Sequence, residues 1–249
     1  KGKIKNNYKI KGFIKDGRID LPKDYNLSKI DLKFLISKDS FNLSEIKLII
    51  KNNNLYFPFI KVKKENKNFL VSGGVNNKNF DLKDEKLSNL INNYVSNFEI
   101  KTINFGSESS FKFEIDNRLK IKKIEIDSLI KLKNLILKNN FKVNKFFPKI
   151  KDELQFENHN IKLDYNDKNF ILEGAGKILF QENYDEIEYT LKKEKEKINF
   201  ITKLDILKNI IKIDFLNYQK NLKNDLKINI SGNKTLDGKI FFKKISLKE

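Results

Sequence analysis

The chain has 249 residues, 39% of them hydrophobic, carries a formal net charge of +18, and contains no cysteine or methionine. Without cysteine there are no disulfides and no thiolate metal ligands, and no run of eighteen residues avoids charge, so the sequence holds no helix able to cross a membrane. So low a hydrophobic fraction is expected of an elongated sheet that buries one side only, because each strand then turns half its positions to water.

The chain opens on Lys1 without a leader of charged then apolar residues, as expected of a segment from within a longer protein. Its charge invites a nucleic-acid reading, since clustered lysine neutralises phosphate. Two features weigh against that. Lys, Asn, Ile and Phe dominate the sequence and all have A/T-rich codons, and the arginines are Arg18 and Arg118 alone, which leaves few planar forks for bidentate contacts. No nucleic-acid partner is expected.

In chain order, period-2 alternation is the main signal. Ile30, Leu32, Phe34 and Ile36 fall on one face, followed by Ile46, Leu48 and Ile50. After the turn-like Asn52-Asn53-Asn54, Leu55, Phe57 and Phe59 return. Leu87, Leu90, Ile91, Tyr94, Val95 and Phe98 break the pattern with helical spacing, which predicts a helix over 85–98, with Asp84 as N-cap, covering the apolar side of the sheet. Gly106-Ser107-Glu108-Ser109-Ser110 reads as a linker, dividing the single elongated segment 1–249 into sub-units 1–105 and 111–249. Phe111, Phe113 and Ile115 alternate, then Leu119 and Ile121, and the phase slips to Ile124 and Ile126, so a bulge or tight turn belongs at Lys122-Lys123. From Ser128 to Pro148 the spacing admits either a helix or a strand.

The second half repeats the style. Ile161, Leu163 and Tyr165 run into the four-residue loop Asn166 to Asn169, and Phe170 and Leu172 return. Ile187, Tyr189 and Leu191 lead to a charged tip at 192–197, then Ile198, Phe200, Thr202, Leu204 and Ile206. Ile211, Ile213 and Phe215 follow, then Leu226, Ile228 and Ile230, and Asp237-Gly238 turns into Ile240 and Phe242. A weak repeat, two alternating apolar residues and then glycine, recurs at Gly12, Gly73, Gly174 and Gly232, marking bends or close backbone approaches.

Catalytic chemistry is poorly supplied. His159 is the only histidine, has no acidic sequence neighbour, and reads as a surface or edge-strand residue. Glu186 and Glu188 share a strand face, and Glu194 and Glu196 sit in the charged tip, both pairs amid solvated residues, whereas glycosidase-like use requires two carboxylates facing each other across a cleft. Gly174-Ala175-Gly176-Lys177 lacks the spacing of a phosphate loop. No enzyme activity, cofactor or metal is expected.

The glycine-ended strands, together with Phe147-Pro148-Lys149-Ile150, Leu154-Gln155-Phe156-Glu157-Asn158, Ile161-Lys162-Leu163-Asp164-Tyr165 and Phe170 to Ile178, resemble the AsmA-like family, especially its large YhdP-type and TamB-type members. The likeness runs diffusely over nearly the whole chain. It implies a mostly β fold, an elongated, twisted antiparallel sheet curled into an apolar groove with one or two short amphipathic helices. It also implies a periplasmic location in the cell envelope, an inner-membrane anchor outside this stretch, and transport of phospholipid or another acyl-chain lipid between membranes without a catalytic residue. On this reading the groove is lined by Phe34, Ile36, Phe57, Phe59, Phe69, Val71, Phe111, Phe113, Ile161, Leu163, Phe170, Leu172, Ile178, Phe200, Ile213, Phe215, Ile228 and Ile230. The competing readings are a sealed structural or adhesive β-repeat scaffold and a basic nucleic-acid-binding module.

Overall fold

A computed structural model describes the chain except residues 1–6, 22–24, 83–98, 139–148, 168, 195, 215–216, 222 and 236–237. The helix expected over 85–98 and the candidate Phe215 lie outside the described residues. Among those described there is no α-helix. The strands are β1 (Lys9–Leu21), β2 (Tyr25–Ser37), β3 (Ser40–Ile50), β4 (Asn53–Glu65), β5 (Asn68–Leu82), β6 (Glu99–Ile115), β7 (Ile121–Lys138), β8 (Glu153–Asn166), β9 (Asn169–Leu179), β10 (Tyr184–Glu194), β11 (Lys197–Ile206), β12 (Lys212–Ile213), β13 (Tyr218–Gln219), β14 (Leu226–Thr235) and β15 (Ile240–Lys248). Thirteen form one open sheet in the order β1 to β11, β14, β15, and β12 pairs with β13 as a separate ribbon.

This is a meander, in which each strand of the sheet pairs with the one before and the one after it, and tight turns join pairs such as β3–β4 and β8–β9. At the β3–β4 turn Lys51 and Asn52 both take positive φ, 45° and 65°, the conformation that matches the twist of the flanking strands. The loop expected over 166–169 is tighter than four residues, because β8 runs through Asn166 and β9 starts at Asn169. The expected linker at 106–110 is a further correction. It lies inside β6, where Asn77 donates to Ser107 Oγ at 2.6 Å and the hydroxyls of Ser109 and Ser128 pair at 2.6 Å. Small polar residues there are strand positions tied to neighbours. The ambiguous stretch from Ser128 continues as β7 up to Lys138.

The chain falls into two compact units, one of Lys1–Phe80, Gly106–Leu129 and Asp164–Asp167, the other of Asp81–Phe105, Ile130–Leu163 and Lys168–Glu249. In the first, register puts Phe34 and Ile36 of β2 opposite Gly12 and Ile10 of β1 on one side and Leu43 and Phe41 of β3 on the other. It then sets Ile60 and Val62 of β4 opposite Gly73 and Val71 of β5. Paired residues point the same way, so these form one apolar face. Lys33, Ser44 and Phe59, with Leu35, Asn42, Lys61 and Ser72, form the other.

The phase of the alternation slips where the backbone bulges. Asp16, Lys29 and Glu45 have φ of 53°, 49° and 54°, and the β4–β5 register shifts between Tyr56 and Ile60, around Pro58. One extra residue at each site keeps the following apolar side chain on the same face, so the spacing across it is three instead of two. Leu27 is followed by Ile30, Leu43 by Ile46, and Phe57 by Ile60. Ile30 and Ile46 are buried as a result. Lys123 (φ 52°) does the same in β7, where the sequence indicated a slip, and Asn158 (φ 54°) does it in β8. Phe59 is corrected by this device. It pairs with Ser44, which pairs with Lys33, and so stands 49% exposed on the polar face, opposite to Phe57.

In the second unit β9, β10, β11 and β14 pair with long unbroken registers, and β14 pairs with β15 across one register shift between Ser231 and Gly232. Ile187 of β10 lies between Gly176 of β9 and Leu204 of β11, and Leu204 lies beside Ile228 of β14. Their neighbours on the opposite face are Lys177, Glu186, Asp205 and Lys227, in that order across four strands. One face is therefore apolar and the other charged.

Between β11 and β14 the chain leaves the sheet at Ile206 and returns at Leu226, which pair with each other. The intervening segment, with the β12–β13 ribbon, folds over one end of the apolar face as a strap. Ile211 and Ile213 pack there with Ile206, Leu226, Ile228, Ile178, Phe180 and Leu154, forming the described core of this unit. The Ile211–Ile213 segment expected as another sheet strand is thus a cover, because its short ribbon pairs only with itself.

Candidate apolar ligand face

The apolar face of the second unit has two unlike ends. Beneath the strap Ile206 and Leu226 have no solvent exposure and Ile211 has 1%. The strap is fixed there by polar groups that are themselves buried. Asp185 accepts from the Leu207 amide at 2.8 Å and from Asn209 Nδ2 at 2.6 Å, and Lys220 Nζ donates to the Leu207 carbonyl at 2.9 Å. Gln181 meets Ile210 as a strand neighbour would, donating to its carbonyl and accepting from its amide, each at 3.0 Å. Burial pushes the Asp185 carboxyl up from its ordinary pKa, opposed by the Asn209 and Leu207 hydrogen bonds and the charge of Lys220.

Away from the strap the same strands present Phe170, Leu172, Leu191, Ile198 and Phe200, all half-buried, and Ile240, Phe242 and Ile245 of β15, all exposed. No strand among those described covers this part of the face. Lys193 and Lys234 bound it at the far end, each directly across from Ile198 on neighbouring strands.

His159 lies in the middle and is buried, contrary to the surface or edge position expected for it. The bulge at Asn158 turns it onto the apolar face, where its ring lies against Gly176. Its Nε2 is 3.0 Å from the Lys177 carbonyl and donates to it, which leaves Nδ1 to accept from the Tyr189 hydroxyl at 3.2 Å. Burial holds the imidazole below its ordinary pKa, with the Lys177 carbonyl pulling the other way, and burial pushes Tyr189 up to about 12. Both groups stay neutral, which suits a packing role between strands.

The repeated glycines acquire a common explanation. A side chain at Gly12, Gly73, Gly174 or Gly232 would overlap an aromatic ring laid over it, that of Phe34, Phe111, Tyr189 or Phe200. Each glycine clears space for a ring from an adjacent strand, so close approach, and not bending, is what the repeat encodes.

The expected groove residues distribute accordingly. Phe34, Ile36 and Phe57 share the first unit's apolar face with Val71, which is buried, and Phe69, which is 39% exposed. Phe111, over Gly73, stacks on Phe113 at 5.9 Å. Ile161 and Leu163 follow His159 at alternate positions of β8. Phe170, Leu172, Ile178, Phe200, Ile228 and Ile230 share the second unit's face, while Ile213 belongs to the strap. Sequence reasoning missed the strap's polar anchors, because Gln181 and Asp185 lie in the polar run Gln181-Glu182-Asn183-Tyr184-Asp185-Glu186 and Asn209 follows Lys208, so each reads as part of a solvated connection.

Set against family models, curated proteins and solved structures, the chain matches none of them. What fold and site define is a class, an open antiparallel meander whose second unit has one apolar and one charged face.

Proposed function

We propose that the apolar face carries acyl-chain lipid, as a non-enzymatic segment of an envelope lipid-transport protein of the kind that the AsmA-like resemblance implies. The observation that carries the reading is the part of the second unit's face that no strand among the described residues covers, where Phe242 is 60% and Ile245 55% exposed beside half-buried Phe200. Contiguous apolar surface of this kind is costly in water and marks binding sites. Acyl chains satisfy it without specific polar contacts, and the charged opposite face keeps the sheet wetted. The curled groove, the periplasmic location and transport between membranes belong to the same proposal.

A sealed scaffold is the second reading, favoured by the dry cluster under the strap. Native mass spectrometry of the protein from mild detergent separates the two. Bound phospholipid in the wild type, lost in a Leu172→Asp variant that still melts near the wild-type temperature, supports lipid carriage. Absence of lipid, or a Leu172→Asp protein that no longer folds, supports the sealed core, because only a closed core cannot keep a carboxylate hydrated.

A further inference from the structure

The two ends of the second unit's apolar face differ in chemistry as well as in cover. On the described residues of β9, β10, β11, β14 and β15, the one carboxylate on this face is Asp185, engaged by the strap. At the other end Lys193 and Lys234 flank Ile198, one strand away on each side. Both are half-buried, and neither makes an ion pair or hydrogen bond among the described residues. Elsewhere lysines commonly find carboxylates, as Lys203 does with Glu188 at 2.9 Å and Lys192 with Glu194 at 2.6 Å. Two half-buried lysines whose ammonium groups have no partner among the described residues, placed at the mouth of an apolar tract, are complementary to an anionic head joined to an apolar tail.

Resting on the lipid reading above, we infer that this tract is dead-ended and selects anionic phospholipid. The phosphate head sits between Lys193 and Lys234, and the acyl chains run toward the strap, where Ile211 and Ile213 form the floor. From Lys234 to Ile228 along β14 the tract covers six residues, roughly 20 Å at the rise of a strand. A zwitterionic phospholipid offers the same chains and phosphate but adds its own cation, which the lysine pair opposes.

The test is native mass spectrometry of the chain with equimolar phosphatidylglycerol and phosphatidylcholine of identical acyl chains at low salt. The wild type is expected to favour phosphatidylglycerol on the order of tenfold, with the preference shrinking as salt is raised. In Lys193→Gln/Lys234→Gln the preference should fall to near unity while total bound lipid persists. The control Lys203→Gln/Lys227→Gln, which removes the same charge from the opposite face, should leave it intact. Equal binding of both lipids by the wild type overturns the inference alone, as does a preference that follows the control lysines instead. Failure of the wild type to bind either lipid overturns the lipid reading itself.

Discussion

The strapped and open ends of the second unit's apolar face are built from the same strands with the same alternation, and they differ in what lies on top. Ile206 and Leu226 are dry because the chain between them doubles back, whereas Leu191 and Phe200, a few residues along, keep partial contact with water. Alternation therefore decides which face a side chain joins, and a separate segment decides whether that face becomes a core.

The largest effect that would sharpen this contrast comes from Asp185→Ala. It removes the acceptor of the Leu207 amide and of Asn209 and leaves Lys220 buried without its nearby charge, at a cost of about 3–5 kcal/mol. Denaturant unfolding measures it, and a loss below about 1 kcal/mol would mean that the network does not hold the strap. Next, Leu226→Ala should cost about 3 kcal/mol, as for a dry core, and Leu191→Ala about 1 kcal/mol. Equal losses in thermal melts would erase the distinction between the ends. Gly174→Val forces the Tyr189 ring off its seat, for about 2 kcal/mol. An unchanged melt there would show that the ring moves freely.

The smallest effect is the pH response of His159. Its folded pKa lies below the ordinary value, so the unfolded chain binds the proton first as pH falls. Stability present above about pH 6.5 is lost progressively below it, toward the folded pKa. Asp185 has the opposite slope, because its raised carboxyl takes up a proton more readily in the folded state. Comparing wild type with His159→Gln across pH 7.5 to 5 therefore isolates the histidine. The wild type should lose more stability than the variant, and parallel curves would contradict a buried neutral imidazole.

Much of this was legible in the sequence. Strands, hairpins and the slip before Ile124 follow from spacing, because side-chain period is a local property. Phe59 was misplaced since its phase depends on a bulge near Pro58, although the three-residue gap from Phe57 to Ile60 carried the signal. His159 was misread because the ring seats, Gly174 under Tyr189 and Gly176 under His159, pair residues from different strands and cannot be seen along one of them. The strap escaped for a similar reason: Ile211 and Ile213 alternate like a strand, and only the buried partners Asp185, Gln181 and Lys220 show that they fold over the sheet.

Photocrosslinking tests the central claim most directly. A photoreactive residue placed at Phe200 or Leu191, on the apolar face beyond the strap, and at their neighbours Ile201 or Thr190, on the charged face, would be irradiated in the presence of phospholipid. The account predicts lipid adducts at 200 and 191 and none at 201 and 190. Adducts equally frequent on both faces, or confined to the charged one, would contradict it.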